Sequence, residues 1–341
     1  MSLINYRKAY PEDYEQIIRL VDSVFFAHDS AGFRGLLPNL YLDPLVTTRA
    51  AFLACDGENI IGHVGVYRIW LKIGLGAGRS FLLKAGGVGA VATAASYRGK
   101  AIMSNLLLQA IEFMKTEKYD VSVLWGDRMR YARFGYEPAG RVVEWRFEER
   151  MARTQGLKPA ALCEISRDRD LRRIVEVWNS DSVGTKQTQK SLAALMLRKK
   201  WNFMFVDQPA TSGPASLVCY QQNNERITVD KLIAPDSSMA AGILLALRER
   251  VDREKGSVSL RCPAGSHPVS DLALQFGRDF SLRTAGQFLV LNTERIAASL
   301  GVTELNLAAG NPGEVARALF GHPVERWSND VQVWIEAIAH V

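Results

Sequence analysis

Cysteine is sparse: Cys55, Cys163, Cys219 and Cys262 are the four in 341 residues, with no Cys-x-x-Cys pair and no histidine pair nearby. Such scatter offers neither a disulfide scaffold nor a zinc site, and it suits reduced thiols in a cytoplasm. No stretch approaches the roughly 18 consecutive apolar residues of a membrane span. The most apolar region, Ile60 to Leu83, is broken by His63, Arg68, Lys72 and Arg79. The first ten residues turn polar at Asn5, Arg7 and Lys8, without the apolar core of a secretion signal. Also missing are a Walker phosphate loop, a His-Glu-x-x-His zinc motif and a Gly-x-Ser-x-Gly elbow, which leaves three common enzyme chemistries unsupported.

What is present is ordinary globular material. Hydrophobic residues make up 48% and charged residues 23%, which argues against extended disorder and coiled coil. At about 150 residues per domain the length predicts two domains. The net charge of +6 suits an anionic partner. Its basic residues are dispersed, and the densest run, Arg198-Lys199-Lys200, reads as a helix end. With no basic and aromatic stripe, nucleic acid is not the expected partner.

Periodicity lays out the elements. A strand over 4–10 precedes a helix that starts at Pro11, with Tyr14, Ile17, Ile18, Val21, Val24 and Phe25 at the period of one buried face. The mixed stretch 26–46, with Gly32, Gly35, Pro38 and Pro44, reads as irregular, and His28 with Asp29 there could face an amine or merely stabilise a loop. Strands over 51–56, 60–73 and 80–93 form an antiparallel meander, with Asp56-Gly57 and Gly74 to Gly78 as turns. A helix from about Ser96 to Lys118, a strand over 121–125, a short helix ending at Gly135 and a strand over 142–147 complete the first half. Beyond a linker over 148–162 the order repeats: helices at 168–178 and 189–199, strands at 203–207, 216–221 and 227–233, a helix at 238–254, a strand at 258–262 and a short helix ending near Gly277. Phe134-Gly135 and Phe276-Gly277 hold matching places, so the halves read as a diverged duplication. From Leu289 a strand and two helices form a short tail.

The informative stretch is Val88 to Met103. A strand of small apolar residues runs into Ala94-Ala95-Ser96-Tyr97-Arg98-Gly99-Lys100-Ala101, which opens an amphipathic helix. Such a turn aims several backbone N–H groups and a helix dipole at one point, which suits a pyrophosphate. It also reads as a plain strand-turn-helix with exposed cations. About thirty residues on comes Tyr131-Ala132-Arg133-Phe134-Gly135-Tyr136.

The first stretch resembles motif A of the GNAT superfamily of N-acetyltransferases, with Arg98 at the motif's first position. Ala101 stands where the family usually has glycine, and Met103 where it has glycine or alanine. The second stretch resembles motif B, in which a tyrosine acts as general acid beside the coenzyme sulfur; Tyr131 holds that place. The resemblance implies an α/β (α+β) fold of two GNAT-like domains in the tandem, Eis-like branch. Each would have a mixed, mostly antiparallel twisted sheet flanked by helices. The implied divisions are 1–150 for an acetyl-CoA-binding domain, 151–290 for a degenerate second one, and 291–341 for a shortened sterol-carrier-like α/β segment. Acetyl-CoA is the implied co-substrate, with no metal. Val91, Ala92, Thr93, Arg98, Gly99, Lys100, Ala101, Ile102, Met103 and Ser104 are its implied contacts, and the Val91 N–H is the candidate to polarise the thioester carbonyl. In the Eis-like branch the terminal carboxylate reaches the active site, which brings in Val341 beside Tyr131. The loop at Asp236 lacks an arginine and a glycine pair and sets a carboxylate where phosphates would sit, so no coenzyme is expected there.

The implied activity is transfer of an acetyl group to a primary amine of a small molecule or peptide side chain. The alternative is an inactive acyl-CoA-binding or sensory protein on the same scaffold. Neither a membrane nor nucleic acid is an expected partner. Tandem members of the family often assemble, which makes a homo-oligomer a further implication.

Overall fold

The structure, a computed structural model, describes residues 3–26, 32–75, 79–199, 201–206, 216–223, 225–252, 254–263 and 267–300, with two short pieces at 315–316 and 319–320. The expectations for His28 and Asp29, for Val341 and for most of the tail lie outside the described residues.

Strand β1 (Asn5–Lys8) leads into helix α1 (Tyr14–Phe25), which buries Ile17, Ile18 and Val21 of the expected face together with Leu20, while Tyr14 and Val24 are half-buried and Phe25 is exposed. The stretch expected to be irregular is a correction. Its described part forms three short helices, α2 (Gly32–Leu36), α3 (Pro38–Tyr41) and α4 (Pro44–Thr48). Pro38 and Pro44 sit in first turns, where a missing N–H costs nothing. The Asp43 carboxylate caps α4, accepting from the Leu45 N–H at 3.0 Å. Strands β2 (Ala51–Asp56), β3 (Asn59–Gly74) and β4 (Ser80–Thr93) make the expected meander. Next come α5 (Ile102–Thr116), β5 (Val121–Leu124), α6 (Arg128–Tyr131), β6 (Glu137–Ala139), β7 (Val142–Phe147) and α7 (Glu149–Thr154). The chain continues through β8 (Leu162–Glu164), α8 (Arg167–Ser180), β9 (Gly184–Thr185), α9 (Gln189–Lys199), β10 (Asn202–Val206), β11 (Leu217–Gln222) and β12 (Arg226–Ile233). It ends its described course with α10 (Ser237–Arg248), β13 (Ser257–Pro263), α11 (Pro268–Phe276), β14 (Gly277–Arg283), β15 (Gly286–Val290) and α12 (Thr293–Leu300). No described helix is long and apolar enough to cross a membrane.

The described strands form two mixed sheets flanked by helices, an α/β fold. The first runs β1-β2-β3-β4-β5-β15-β6, with β9 paired to β3, and the second runs β8-β10-β11-β12-β13-β7-β14. In each, one parallel pair interrupts an antiparallel order: β4 with β5, and β12 with β13. Strand by strand the two orders match, and each sheet takes its sixth strand from the other half of the chain. β7 therefore belongs to the second sheet, and β15, expected to open the tail, is an internal strand of the first. A division at 150 cuts across both sheets. An alternating strand such as Val142–Phe147 shows which face is buried but carries no mark of which sheet it joins.

Helix α5 packs on one face of the first sheet, burying Ile102, Leu106, Leu107, Ala110 and Met114 against Phe52, Val64, Val66 and Val88. Helix α1 and the short helices cover the other face, with Leu53, Tyr67, Ala90 and Ala92 beneath them. In the second sheet α10 and α11 take the place of α5, and α8 and α9 the place of α1.

Candidate active site

β4 and β5 pair at Ala85–Val121, Gly86–Ser122 and Gly87–Val123, and no further. Beyond Gly87, β4 keeps its ladder with β3 as far as Thr93 but has left β5. The joined end is fastened by Ser122. Its hydroxyl bonds the Gly86 carbonyl at 3.1 Å and shares a 2.6 Å hydrogen bond with the fully buried Tyr136 hydroxyl. The parting strands leave the last turn of β4 with one open edge, and Val91, Ala92 and Thr93 lie on it. The Ala92 side chain is buried under α1 and its backbone faces His63 across the β3 ladder. Thr93 Oγ1 is buried with no partner among the described residues.

Within this free stretch the β3–β4 register shifts between His63 and Gly65, and Ala90 has φ +48°, in the left-handed region. This is a β-bulge, one extra residue in β4. His63, fully buried, sets its Nδ1 2.8 Å from the Ala90 carbonyl. A carbonyl only accepts, so Nδ1 carries the hydrogen. Burial lowers the pKa of His63 to about 4, so the ring is neutral.

The turn to α5 differs from expectation in one respect: the helix begins at Ile102 rather than near Ser96. Residues Ala95–Tyr97 form a single 3-10 turn, anchored by a 2.5 Å hydrogen bond from the Tyr97 hydroxyl to Asp56 Oδ2. Arg98 to Ala101 are exposed. Gly99 has φ +77° with open space where a Cβ would stand, and Ala101 has φ +58°. Alanine thus adopts the conformation glycine would take here, at a cost of roughly 1–2 kcal/mol. The first bond of α5 runs from the Asn105 N–H to the Ala101 carbonyl at 3.1 Å. The N–H groups of Ile102, Met103 and Ser104 therefore precede the helical ladder, and the first turn holds no acidic residue. The Ile102 side chain is buried in the core, whereas Met103 lies at its edge. Lys100 folds over the Tyr97 ring, its Nζ 4.8 Å from the centroid.

Tyr131 closes the short helix α6, which Asp127 caps by accepting from the Met129 N–H at 2.9 Å. Its ring lies in the α5-side cluster, against which Val91, Ala94, Tyr97 and Met103 also pack. The structure thus brings the motif B tyrosine and the motif A strand to one face. No described residue hydrogen-bonds its hydroxyl. Burial raises its pKa, more than Arg130 lowers it, so the phenol holds its proton at neutral pH. Two neighbours escape a local reading. A Cβ at Gly126 would lie 2.7 Å from the Tyr131 ring, so glycine is what lets the ring sit there. Gln287, on exchanged strand β15, donates from Nε2 to the Gly126 carbonyl at 2.6 Å. Tyr136 alone of these supports was visible in advance, as the last residue of the Phe-Gly-Tyr run.

The matching place in the second sheet is built otherwise. Val66 opposite Val88 corresponds to Tyr220 opposite Val229, and both registers then shift. On that match Lys231 replaces Ala90 and Leu217 replaces His63. Neither Asp230 nor Lys231 has a positive φ. β12 and β13 stay paired through Val229–Leu260, one residue further than β4 and β5. Lys231 Nζ is buried 2.7 Å from Asp181 Oδ2, and His267 Nε2 lies 3.2 Å from Asp181 Oδ1. Because His267 Nδ1 accepts from the Val269 N–H at 3.3 Å, Nε2 carries the hydrogen and donates to Asp181. The N-terminus of α10 is already occupied by its own residue, since Asp236 Oδ1 accepts from the Met239 N–H at 2.7 Å.

Residues 5–139, from the first strand to the last residue of β6, match the family model of the acetyltransferase (GNAT) domain. The N-terminal unit is a GNAT acetyltransferase domain. The match ends just before β7 crosses to the other sheet. Solved structures resemble the chain far beyond that GNAT domain. A GCN5-related N-acetyltransferase from Kribbella flavida aligns with a TM-score of 0.66 at 15% identity, over 87% of this chain and 74% of that one. Another from Anabaena variabilis aligns at 0.64 and 12%, over 85% and 73%. Eis1 from Mycobacterium abscessus aligns at 0.63 and 14%, over 87% and 76%. At these identities the likeness is one of fold, and it spans both sheets. No curated protein matches the sequence.

Proposed function

We propose that the chain is an acetyl-CoA-dependent N-acetyltransferase of the tandem, Eis-like kind, acting on a primary amine of a small molecule or peptide side chain. The observation that carries this reading is the parting of β4 from β5 after Gly87, directly ahead of a helix whose own first turn holds no acidic residue. Val91, Ala92 and Thr93 would hold a pantetheine arm along the open edge as an added strand. The partnerless Thr93 hydroxyl fits such an occupant. The N–H groups of Ile102, Met103 and Ser104 would hold a pyrophosphate, beside the flexible joint at Gly99 and the charges of Arg98 and Lys100. Ala101 fits as well, because its left-handed backbone preserves the loop shape that glycine gives elsewhere in the family.

When bound, the thioester supplies an acyl carbon open to attack by a neutral amine. The Val91 N–H would polarise its carbonyl. As the C–N bond forms and the C–S bond breaks, Tyr131 would give its phenolic proton to the departing sulfur, and the proton shed by the amine would restore the phenol through solvent. In this reading residues 1–150 carry the coenzyme site, completed by β15, and the unit over 151–290 carries none.

The test is release of free thiol from acetyl-CoA against a panel of primary amines, with the acetylated amine identified by mass. Amine-dependent release supports the enzyme. Coenzyme binding without transfer to any amine would favour the acyl-CoA sensor instead.

A further inference from the structure

We propose that His63 is a positioning residue for acetyl transfer: its buried ring holds the Ala90 carbonyl and thereby aims the Val91 N–H. The inference rests on the function proposed above.

The geometry begins with the two faces of β3. A Cβ at Gly62 would meet Ile102 and Leu106 on the α5 side, so its neighbour His63 points to the α1 side, where Ala90 and Ala92 also lie. His63 takes the Ala90 carbonyl out of the strand ladder and binds it there, at 2.8 Å. In a trans peptide the C=O and the following N–H point in opposite directions. A carbonyl held toward the α1 side therefore turns the Val91 N–H toward the α5 side, where Tyr131 lies in the cluster that Val91 packs against. One hydrogen bond on the far face of the sheet thus sets the direction of a donor on the near face.

Two further observations separate this from simple core filling. The ring is expensive to bury, because His63 Nε2 is enclosed with no partner among the described residues. And the fold does not need it for the register shift: the second sheet makes the corresponding shift with buried Leu217 in the place of His63, and without a left-handed residue. The histidine accompanies the turned peptide, in the sheet whose strands open early.

The experiment compares His63→Leu, which fills the space without a donor, with His63→Asn, whose amide nitrogen stands near the position of Nδ1. Kinetics are read at a temperature where circular dichroism shows each variant folded, together with the Val91 amide signal in coenzyme-free protein. In H63L, kcat should fall by about tenfold or more, with KM for acetyl-CoA within about twofold, and the Val91 amide should shift. In H63N both should return toward wild type. Equal loss in the two variants, or a Val91 amide unmoved in H63L, overturns the proposal. A wild-type chain that binds coenzyme but transfers nothing counts against the enzyme reading and not against the peptide geometry, which the Val91 amide decides by itself.

Discussion

Arg133 donates a 2.6 Å hydrogen bond from Nη2 to the hydroxyl of Ser104, tying the turn that follows Tyr131 to the first turn of α5. The bond is exposed and contributes little to stability, about 1 kcal/mol at most. What it does is couple the two ends of the candidate site, the turn proposed to hold phosphate and the tyrosine proposed to give the proton. With that distance fixed, the role of Tyr131 becomes separable from coenzyme binding. Tyr131→Phe should lower kcat by about 100-fold or more and leave the coenzyme Kd within a few-fold. Steady-state kinetics with a parallel coenzyme titration check both numbers.

Ala101 offers a change expected to improve the protein. Ala101→Gly removes the steric cost of a left-handed alanine, offset in part by the greater freedom of glycine in the unfolded chain. The net should be a gain of up to about 1 kcal/mol, with coenzyme binding unchanged or tighter. Ala101→Val, branched at Cβ, should do the reverse. Thermal melts with and without coenzyme A distinguish the two.

Asp181 ties the second unit together. Burial pushes its pKa up, but Lys231 and His267 outweigh that and hold it well below the usual carboxylate range. A depressed folded pKa means stability that is fully present above the unfolded carboxylate value, near about 4, and is lost as pH falls through the folded one. Asp181→Asn should cost about 3 kcal/mol or more at neutral pH, because it leaves Lys231 buried without its carboxylate. The variant should also lose less stability than wild type on acidification below about pH 4. Denaturant melts across pH measure both.

The exchange of β7 and β15 predicts that the halves do not fold alone. A fragment of residues 1–150 would leave the β5 edge open at Val121–Leu124 and β6 without its partner. It would also carry β7 with no second sheet to join. The fragment should show no cooperative melt, and adding residues 151–341 should restore one. A sharp transition in the isolated fragment would contradict the exchange.

Much of this was legible along the chain. The meander, α5 and the repeat of element order follow from apolar spacing, which is local information. The loop and Tyr131 were legible because their motifs carry residue types at fixed spacing. What escaped was whatever depends on distant pairing or on unusual backbone. The strand Gly286–Val290 reads alike whichever sheet it joins, so Gln287 could not be placed beside Gly126 in advance. A lone His63 in an apolar strand looks like an interruption until the Ala90 bulge appears across the ladder. Ala101 gives no sign of a positive φ, since that conformation is signalled by glycine, and the start of α5 was accordingly read too early.

The central claim is that one coenzyme site exists, on the first sheet, and it is most directly tested by calorimetric titration of the full chain with coenzyme A. One molecule per chain is expected, with binding abolished or strongly weakened by Arg98→Glu and unaffected by Asp236→Ala. Two molecules per chain, or binding that survives Arg98→Glu and disappears in Asp236→Ala, would contradict it.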